Sequence, residues 1–554
     1  MGLLLAGGAM ARAAEPGRAA RERAVDALFA ELERPGSPGA AIGIYQGGRP
    51  VYAHAYGYAD LEHRVPMTVH SVFNAASVSK QFTAFAIALL AREGKVDLDA
   101  DIRRYLPYVP DFGHPITVSQ LIHHTSGLRT SEMLFELGGQ DLRGTIRQQH
   151  VVNMVMRQRA LNFEPGTEFL YCNTGYSLLA EIVAAASGRS FRAFTTERIF
   201  RPLGMAHSFF HDDLTEVLPH RAQSYERSGD DARWIRSVES YDVIGATGLM
   251  TNVEDMLAWA GNFARPVVGD LALIGQLAAP GQLNDGTAVN YGFGLRRRSI
   301  AGHEAWAHAG SSAGYTTHFA YFPQRDFAIV VLMNAPFEVD GRVAAIADLY
   351  LNGGRGESVA PRATIAPDPA LPSAAAGYYM SEFGRMIELV RDGSTLLWNE
   401  PGNEPTPMVF RDDGTFDLGS GEDESYRFLP RTDGEVHGFT RMTGEGAVGA
   451  RLLFRRVQPA TPSAAGLAEL AGRYFSPELD VTYDISVEQG RLVARSIWLV
   501  EPIEFTPGIV DRFDSPHWAM STIVVVRDAR GRVAGLRIQA DRIRNVQLDR
   551  LPAP

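Results

Sequence analysis

Two short apolar-rich runs near the start of the chain, residues 40–45 and 50–56, flank Gln46-Gly47-Gly48 and predict a β-hairpin. A second group of strand patterns runs through residues 306–310, 315–322 and 327–333, with turns over 311–314 and 323–326. Between the two groups the apolar period lengthens to that of a helix. Residues 78–93, closed by Gly94, place Phe82, Phe85, Leu89 and Leu90 on one buried stripe, and residues 176–186, closed by Gly188, predict a second helix. Strands at both ends around a helical middle imply an α+β domain, an antiparallel sheet with segregated helices, over residues 20–355.

Residues 356–372 are rich in Gly, Pro and Ala and read as a linker. Beyond them the helical period disappears. Gly377-Tyr378-Tyr379 followed by Arg391-Asp392-Gly393 recurs as Gly472-Arg473-Tyr474 followed by Glu488-Gln489-Gly490. Two modules of short strands and turns, 373–458 and 464–554, suit small antiparallel, lipocalin-like β-barrels. Residues 1–19 resemble the latter part of a secretory signal, with an Ala-x-Ala site but no basic leader. We therefore expect a periplasmic or secreted protein whose signal is truncated, while a cytoplasmic location stays open.

Composition narrows the function. Apolar residues make up 45% and charged residues 21% of the 554, so the chain is globular. A net charge of −11 excludes a nucleic-acid partner, which needs basic surface. The single cysteine, Cys172, excludes internal disulfides and Cys-based zinc sites, and no apolar run after residue 20 is long enough to span a bilayer. Neither a metal nor a cofactor is expected. The oligomeric state stays open, a homodimer included.

Only two of the 53 basic residues are lysines, Lys80 and Lys95. Arginine supplies a fixed positive charge equally well, but guanidinium does not give up its proton at any relevant pH. A lysine kept in such a chain is therefore a candidate for proton transfer. Lys80 stands three places after Ser77 in Phe73-Asn74-Ala75-Ala76-Ser77-Val78-Ser79-Lys80. At that spacing the two share a helix face, and burial would lower the amine's pKa enough for it to activate the serine. In Tyr171-Cys172-Asn173, an extended backbone would put Tyr171 and Asn173 on one side and Cys172 on the other. The phenol could relay a proton and the amide could bind a substrate amide. In Trp306-Ala307-His308-Ala309-Gly310-Ser311, Gly310 permits close approach of a ligand, His308 could donate a hydrogen bond, and the Ser311 N–H could complete an oxyanion hole with that of Ser77. Each of these has an ordinary structural reading too, and so does the pair His123-His124, whose side chains diverge.

Together and in this order the three motifs resemble the penicillin-binding-protein and class C β-lactamase-like family of serine hydrolases, which uses Ser-x-x-Lys, Tyr-x-Asn and Lys/His-x-Gly. His123-His124-Thr125-Ser126-Gly127-Leu128, Gly245-Ala246-Thr247-Gly248-Leu249 and Tyr291-Gly292-Phe293-Gly294-Leu295 add to the likeness, which covers residues 35–335. Within that family the architecture is most similar to the bacterial D-aminopeptidase branch, in which a loop from the last barrel enters the active site. The corresponding stretch here, Phe513-Asp514-Ser515-Pro516-His517-Trp518, looks short. The resemblance implies Ser77, Lys80 and Tyr171 as catalytic residues and Asn173, His308, Gly310 and Ser311 as substrate-binding ones. The implied substrate is a small peptide or amide with a D-residue. Alternatives are a carboxylesterase acting on a small ester, or a slowly deacylating penicillin-binding sensor. Histidine in place of the lysine of the family's β-lactamases implies weak β-lactam hydrolysis.

Overall fold

The computed structural model describes residues 17–140, 142, 144–229, 233–354, 363–381, 384–400, 404–419, 424–443, 452–499 and 501–552. Residues 1–16, where most of the signal-like stretch lies, and residue 355 with residues 356–362 of the expected linker fall outside these.

Helix α1 (Arg18–Leu28) leads into β1 (Ala40–Gln46) and β2 (Arg49–Tyr56), joined through Gly47 and Gly48, both at positive φ. The helical middle includes α2 (Lys80–Arg92), α3 (Ser131–Leu137), α4 (Asn173–Ser187) and α5 (Val253–Ala264). Strands β3 (Arg296–Ile300), β4 (His303–Ser312), β5 (Tyr315–Phe322) and β6 (Phe327–Met333) follow, then α6 (Asp340–Ala347). The six strands form one sheet in the order β3-β4-β5-β6-β1-β2. The two predicted strand groups therefore meet in mid-sheet, where β1 and β6 pair antiparallel from Ala40↔Met333 to Gln46↔Phe327.

Alternation along β1 divides the core. Ala40, Ile42 and Ile44 pack with Val25 of α1, Phe29 just after it, and Val343 and Ile346 of α6. Ala41 and Tyr45 face the other side, with Met256 and Leu257 of α5 and with α2. Gly43 lies on that second face because a Cβ there would stand 2.5 Å from the Val253 side chain.

The predicted stripe on α2 understates its position. Every residue from Lys80 to Leu90 is buried, so the helix is enclosed on all sides. Its polar members have partners inside: Gln81 accepts from Trp259 Nε1 at 2.7 Å, and Thr83 donates to the Gly245 carbonyl at 2.8 Å.

The C-terminal half holds two β modules. A nine-stranded sheet has Thr406–Pro407 and Val409–Phe410 as its edge strands, one residue apart in the chain, which leaves it nearly closed. An eight-stranded closed barrel follows and ends in β7 (Val533–Ala540) and β8 (Ile543–Arg550). The sequence repeat reappears as a shared lock. Tyr379 donates to Ala375 O at 2.8 Å and Tyr474 to Leu470 O at 2.7 Å, each fixing the first strand to the short helix before it. One of those helices is Leu371–Ala375, so the end of the expected linker is ordered instead as the first turn of its module.

Candidate active site

A short strand, Phe73–Asn74, leads into a single tight turn, Ala76–Ser79, that runs directly into α2. Ala76 is held at φ 47, a conformation that costs a non-glycine residue of order 1–3 kcal/mol, and its N–H donates to Asn74 Oδ1 at 2.7 Å. This strained step places Ser77 at the mouth of the helix. Lys80 Nζ lies 3.1 Å from Ser77 Oγ and donates to the Ala246 carbonyl at 2.7 Å. The amine is wholly buried. Burial holds it below the ordinary lysine range; the Tyr171 phenol opposes this and the Arg542 guanidinium adds to it.

The glycines of the supporting motifs let the backbone close around this pair. A Cβ on Gly294, at φ 89, would lie 2.4 Å from Gln81 N at the first turn of α2. A Cβ on Gly310 would lie 2.7 Å from Ala75 O and 3.0 Å from Ala76 Cβ, so β4 runs directly against the Ser77 turn. Beyond Ala307, β4 has no strand partner on its β3 side among the described residues, which leaves the backbone of residues 308–312 as an edge beside the Ser77 turn. Ser311 lies exposed on that edge.

Tyr171 lies against the amine, with Lys80 Nζ 4.9 Å from its ring centre. Asn173 is not in an extended segment: Cys172 keeps extended angles as the N-cap, and Asn173 is the first residue of α4. Tyr171 and Asn173 still lie together at the N-terminal end of α4, one on each side of its N-cap. Asn173 Nδ2 donates to Glu132 Oε1 at 3.0 Å, while Tyr171 Oη, beside the Lys80 amine, and Asn173 Oδ1 are buried with no hydrogen bond of good geometry among the described residues. Orphaned buried polar atoms cost about 1–3 kcal/mol each, and both are groups a substrate can engage. Cys172 is buried in the hydrophobic core; burial pushes its thiol up to about 11, which disfavours thiolate chemistry.

His308 occupies the third motif as a neutral group. Its Nδ1–H donates to Ala309 O at 2.5 Å, so Nε2 accepts from Tyr291 Oη at 2.9 Å. Burial, and then the nearby Lys80 and Arg296 charges, hold its pKa far below the usual histidine range. His123 and His124 do not share a ligand: His123 Nδ1 donates to Tyr291 O at 2.7 Å, and His124 Nδ1 accepts the Cys172 N–H at 3.1 Å.

Two contributors, Glu132 and Arg542, escape the sequence motifs, and a third lies within the motif at residues 245–249 with a role that its residue types do not show. The Ala246 carbonyl fixes the amine. Glu132, at the start of α3, places a carboxylate beside Asn173. Arg542 reaches in from the last barrel, where it occupies the turn between β7 and β8 and holds its guanidinium carbon 5.1 Å from the Tyr171 ring centre. The last barrel thus does approach Tyr171, by that hairpin; of residues 513–518, Phe513 shares a hydrophobic cluster with residues of α3, and His517 Nε2 lies 3.8 Å from Glu136.

The family model described as Beta-lactamase matches residues 25–352. A D-aminopeptidase of Brucella anthropi is 26% identical over 534 residues, 93% of this chain and 95% of that protein. A D-aminopeptidase of Cereibacter sphaeroides is 28% identical over 543 residues, 94% and 96% of the two chains. Among solved structures, the octameric penicillin-binding protein homologue from Pyrococcus abyssi superposes with a TM-score of 0.55 at 22% identity, covering 78% of this chain and 99% of that one.

Proposed function

This chain belongs to the Beta-lactamase family, and from that premise we propose that it is a serine hydrolase that cleaves short peptides or amides carrying an N-terminal D-residue. The observation that carries the chemistry is a fully buried lysine amine 3.1 Å from a serine hydroxyl at a helix mouth. The D-residue assignment draws on the two D-aminopeptidases that match over 93% and 94% of the chain.

In this reading Ser77 Oγ attacks the substrate carbonyl while neutral Lys80 takes its proton. The N–H groups of Ser77 and Ser311 receive the developing oxyanion, with Gly310 allowing β4 to come close enough. Tyr171 passes the proton to the leaving amine as the C–N bond breaks. Water then attacks the acyl-enzyme and restores Ser77. Asn173 binds the substrate backbone, and Glu132 beside it receives the free ammonium of an N-terminal residue. His308, neutral and pinned by Tyr291, orients that wall without presenting a cation, which favours weak β-lactam hydrolysis.

The functional division follows residues 20–355 as the catalytic domain, 356–372 as the connection, and 373–458 and 464–554 as the two barrels. Among the described residues no helix is long and apolar enough to cross a membrane. We assign the protein to the periplasm or the exterior, and self-association is a further part of the proposal.

The test compares D-alanine p-nitroanilide, its L-isomer and p-nitrophenyl acetate, with Ser77→Ala as control. The D-anilide should be preferred over the L-isomer by at least tenfold. Turnover of the ester alone would replace the peptidase reading with an esterase.

A further inference from the structure

We propose that Arg542, a residue of the second barrel, reads a carboxylate on the leaving side of the substrate, so that the enzyme selects short zwitterionic peptides over simple amides. The proposal rests on the reaction assigned above and adds a specificity determinant from outside the catalytic domain.

The turn that carries Arg542 is strapped down from both sides. Asn162 Nδ2 donates to Arg542 O at 3.1 Å, and Asn162 Oδ1 accepts the Arg544 N–H at 2.7 Å. Arg129 donates through Nε and Nη2 to Arg544 O at 3.0 and 2.9 Å, and through Nη1 to both oxygens of Glu478 at 2.9 and 2.7 Å. Arg544 itself pairs with Glu168 at 2.8 Å. Burying charges in this way costs desolvation that pairing offsets only in part. What the network secures is the position of one turn.

At the tip of that turn the guanidinium of Arg542 lies against the Tyr171 ring, and its one ion-pair partner among the described residues is the adjacent, solvent-exposed Asp541 at 3.3 Å. That contact engages Nε and leaves the terminal amino groups of a planar donor fork shaped for carboxylate. Tyr171 is the group that serves the leaving amine. A cation held over it therefore faces the part of the substrate beyond the scissile bond. In the reaction assigned above Glu132, hydrogen-bonded to Asn173, serves the acyl side. The two charges are of the signs and on the sides that a dipeptide presents: ammonium first, carboxylate last.

The experiment measures kcat/KM for two matched pairs on the full-length protein, Arg542→Gln and Arg542→Lys. The first pair is D-alanyl-glycine against D-alaninamide. The second is the acetyl ester of 3-hydroxybenzoate against phenyl acetate, which places or omits a carboxylate on the leaving phenol. Arg542→Gln should lower the ratio of carboxylate-bearing to neutral substrate about ten- to a hundredfold, the loss expected for a charged hydrogen-bond pair, and Arg542→Lys should lower it less. Ratios unchanged in both pairs, or an equal loss on all substrates with a displaced pH profile, would overturn the proposal. A wild-type enzyme inert to both alanyl substrates, whose ester ratio still falls in Arg542→Gln, would sink the peptidase reading and leave the role of Arg542 standing.

Discussion

Lys80 is buried on every side, touches the serine and a backbone carbonyl, and has no carboxylate among its hydrogen-bond partners. Such an amine is disfavoured as an ammonium. Arginine at this position would carry an obligatory charge into the same space, so Lys80→Arg should be as inactive as Lys80→Ala, each at least a thousandfold down in kcat/KM. Residual activity in the arginine variant within tenfold of wild type would mean that the amine need not deprotonate. The sign of the linkage also follows. A depressed native pKa means that the unfolded chain binds the proton more readily, so Lys80 subtracts stability at neutral pH, and the penalty shrinks as pH rises towards the ordinary lysine range. Lys80→Met should therefore raise the melting temperature at pH 7 while abolishing turnover, the trade expected at an active site. Cys172 marks the contrast: Cys172→Ala should cost about 1–2 kcal/mol of packing, read by denaturant melts, and leave kcat/KM within threefold. A loss matching that of Ser77→Ala would make the thiol a participant.

At the scale of elements, the hairpins and the Ser77 turn were legible because their signals are local. Gln46-Gly47-Gly48 sits between two strand patterns, and Ser77 and Lys80 are three residues apart on one helix. The full enclosure of α2 was not, because Gln81 and Thr83 look like surface residues until Trp259 and Gly245 supply their partners. Asn173 as the start of a helix escaped for a related reason, since Tyr-x-Asn reads equally well as extended chain. Glu132 carries no signature at all, and the motif at residues 245–249 does not show what its Ala246 carbonyl does: a lone carboxylate and a backbone carbonyl become parts of a site only when the fold brings them across from distant segments. The supporting glycines make this layer testable. Gly294→Ala would force a side chain into the backbone of α2 at a positive φ. It should destabilise the protein by more than about 2 kcal/mol in denaturant melts. A near-neutral substitution would show that the Tyr291–Leu295 segment does not brace the lysine.

The whole molecule is built so that the last barrel is part of the catalytic unit. Met133, Leu134, Phe135 and Leu137 of α3 share one hydrophobic cluster with Tyr483, Phe505 and Leu536 of the barrel. Tyr483 Oη donates to Leu137 O at 2.5 Å, and Gly139 lies against Trp498, where an added Cβ would stand 2.1 Å from the Trp498 Cβ. None of this was visible in sequence, because Arg129 and Glu478 are 349 positions apart and each looks like an ordinary surface charge. Both are fully buried, and burial pushes each towards its neutral form, lowering the Arg129 pKa and raising that of Glu478 against their mutual attraction. Removing one partner leaves an uncompensated charge in the interface, so Glu478→Leu should cost about 3–5 kcal/mol, while Arg129→Met with Glu478→Leu should recover most of it. Thermal melts of the three proteins decide this, and a double variant no better than the single one would refute it.

The titration of the Lys80 amine bears most directly on how this protein works, and its composition makes the measurement simple. With lysine labelled at Cε, only two residues give signals, Lys80 and Lys95, and Lys80→Met assigns them. The Lys80 signal should titrate below the ordinary lysine value of about 10.4, in step with the acid limb of the acylation rate. A Lys80 amine that stays protonated up to or beyond that value, while Ser77 is acylated at neutral pH, would contradict the account.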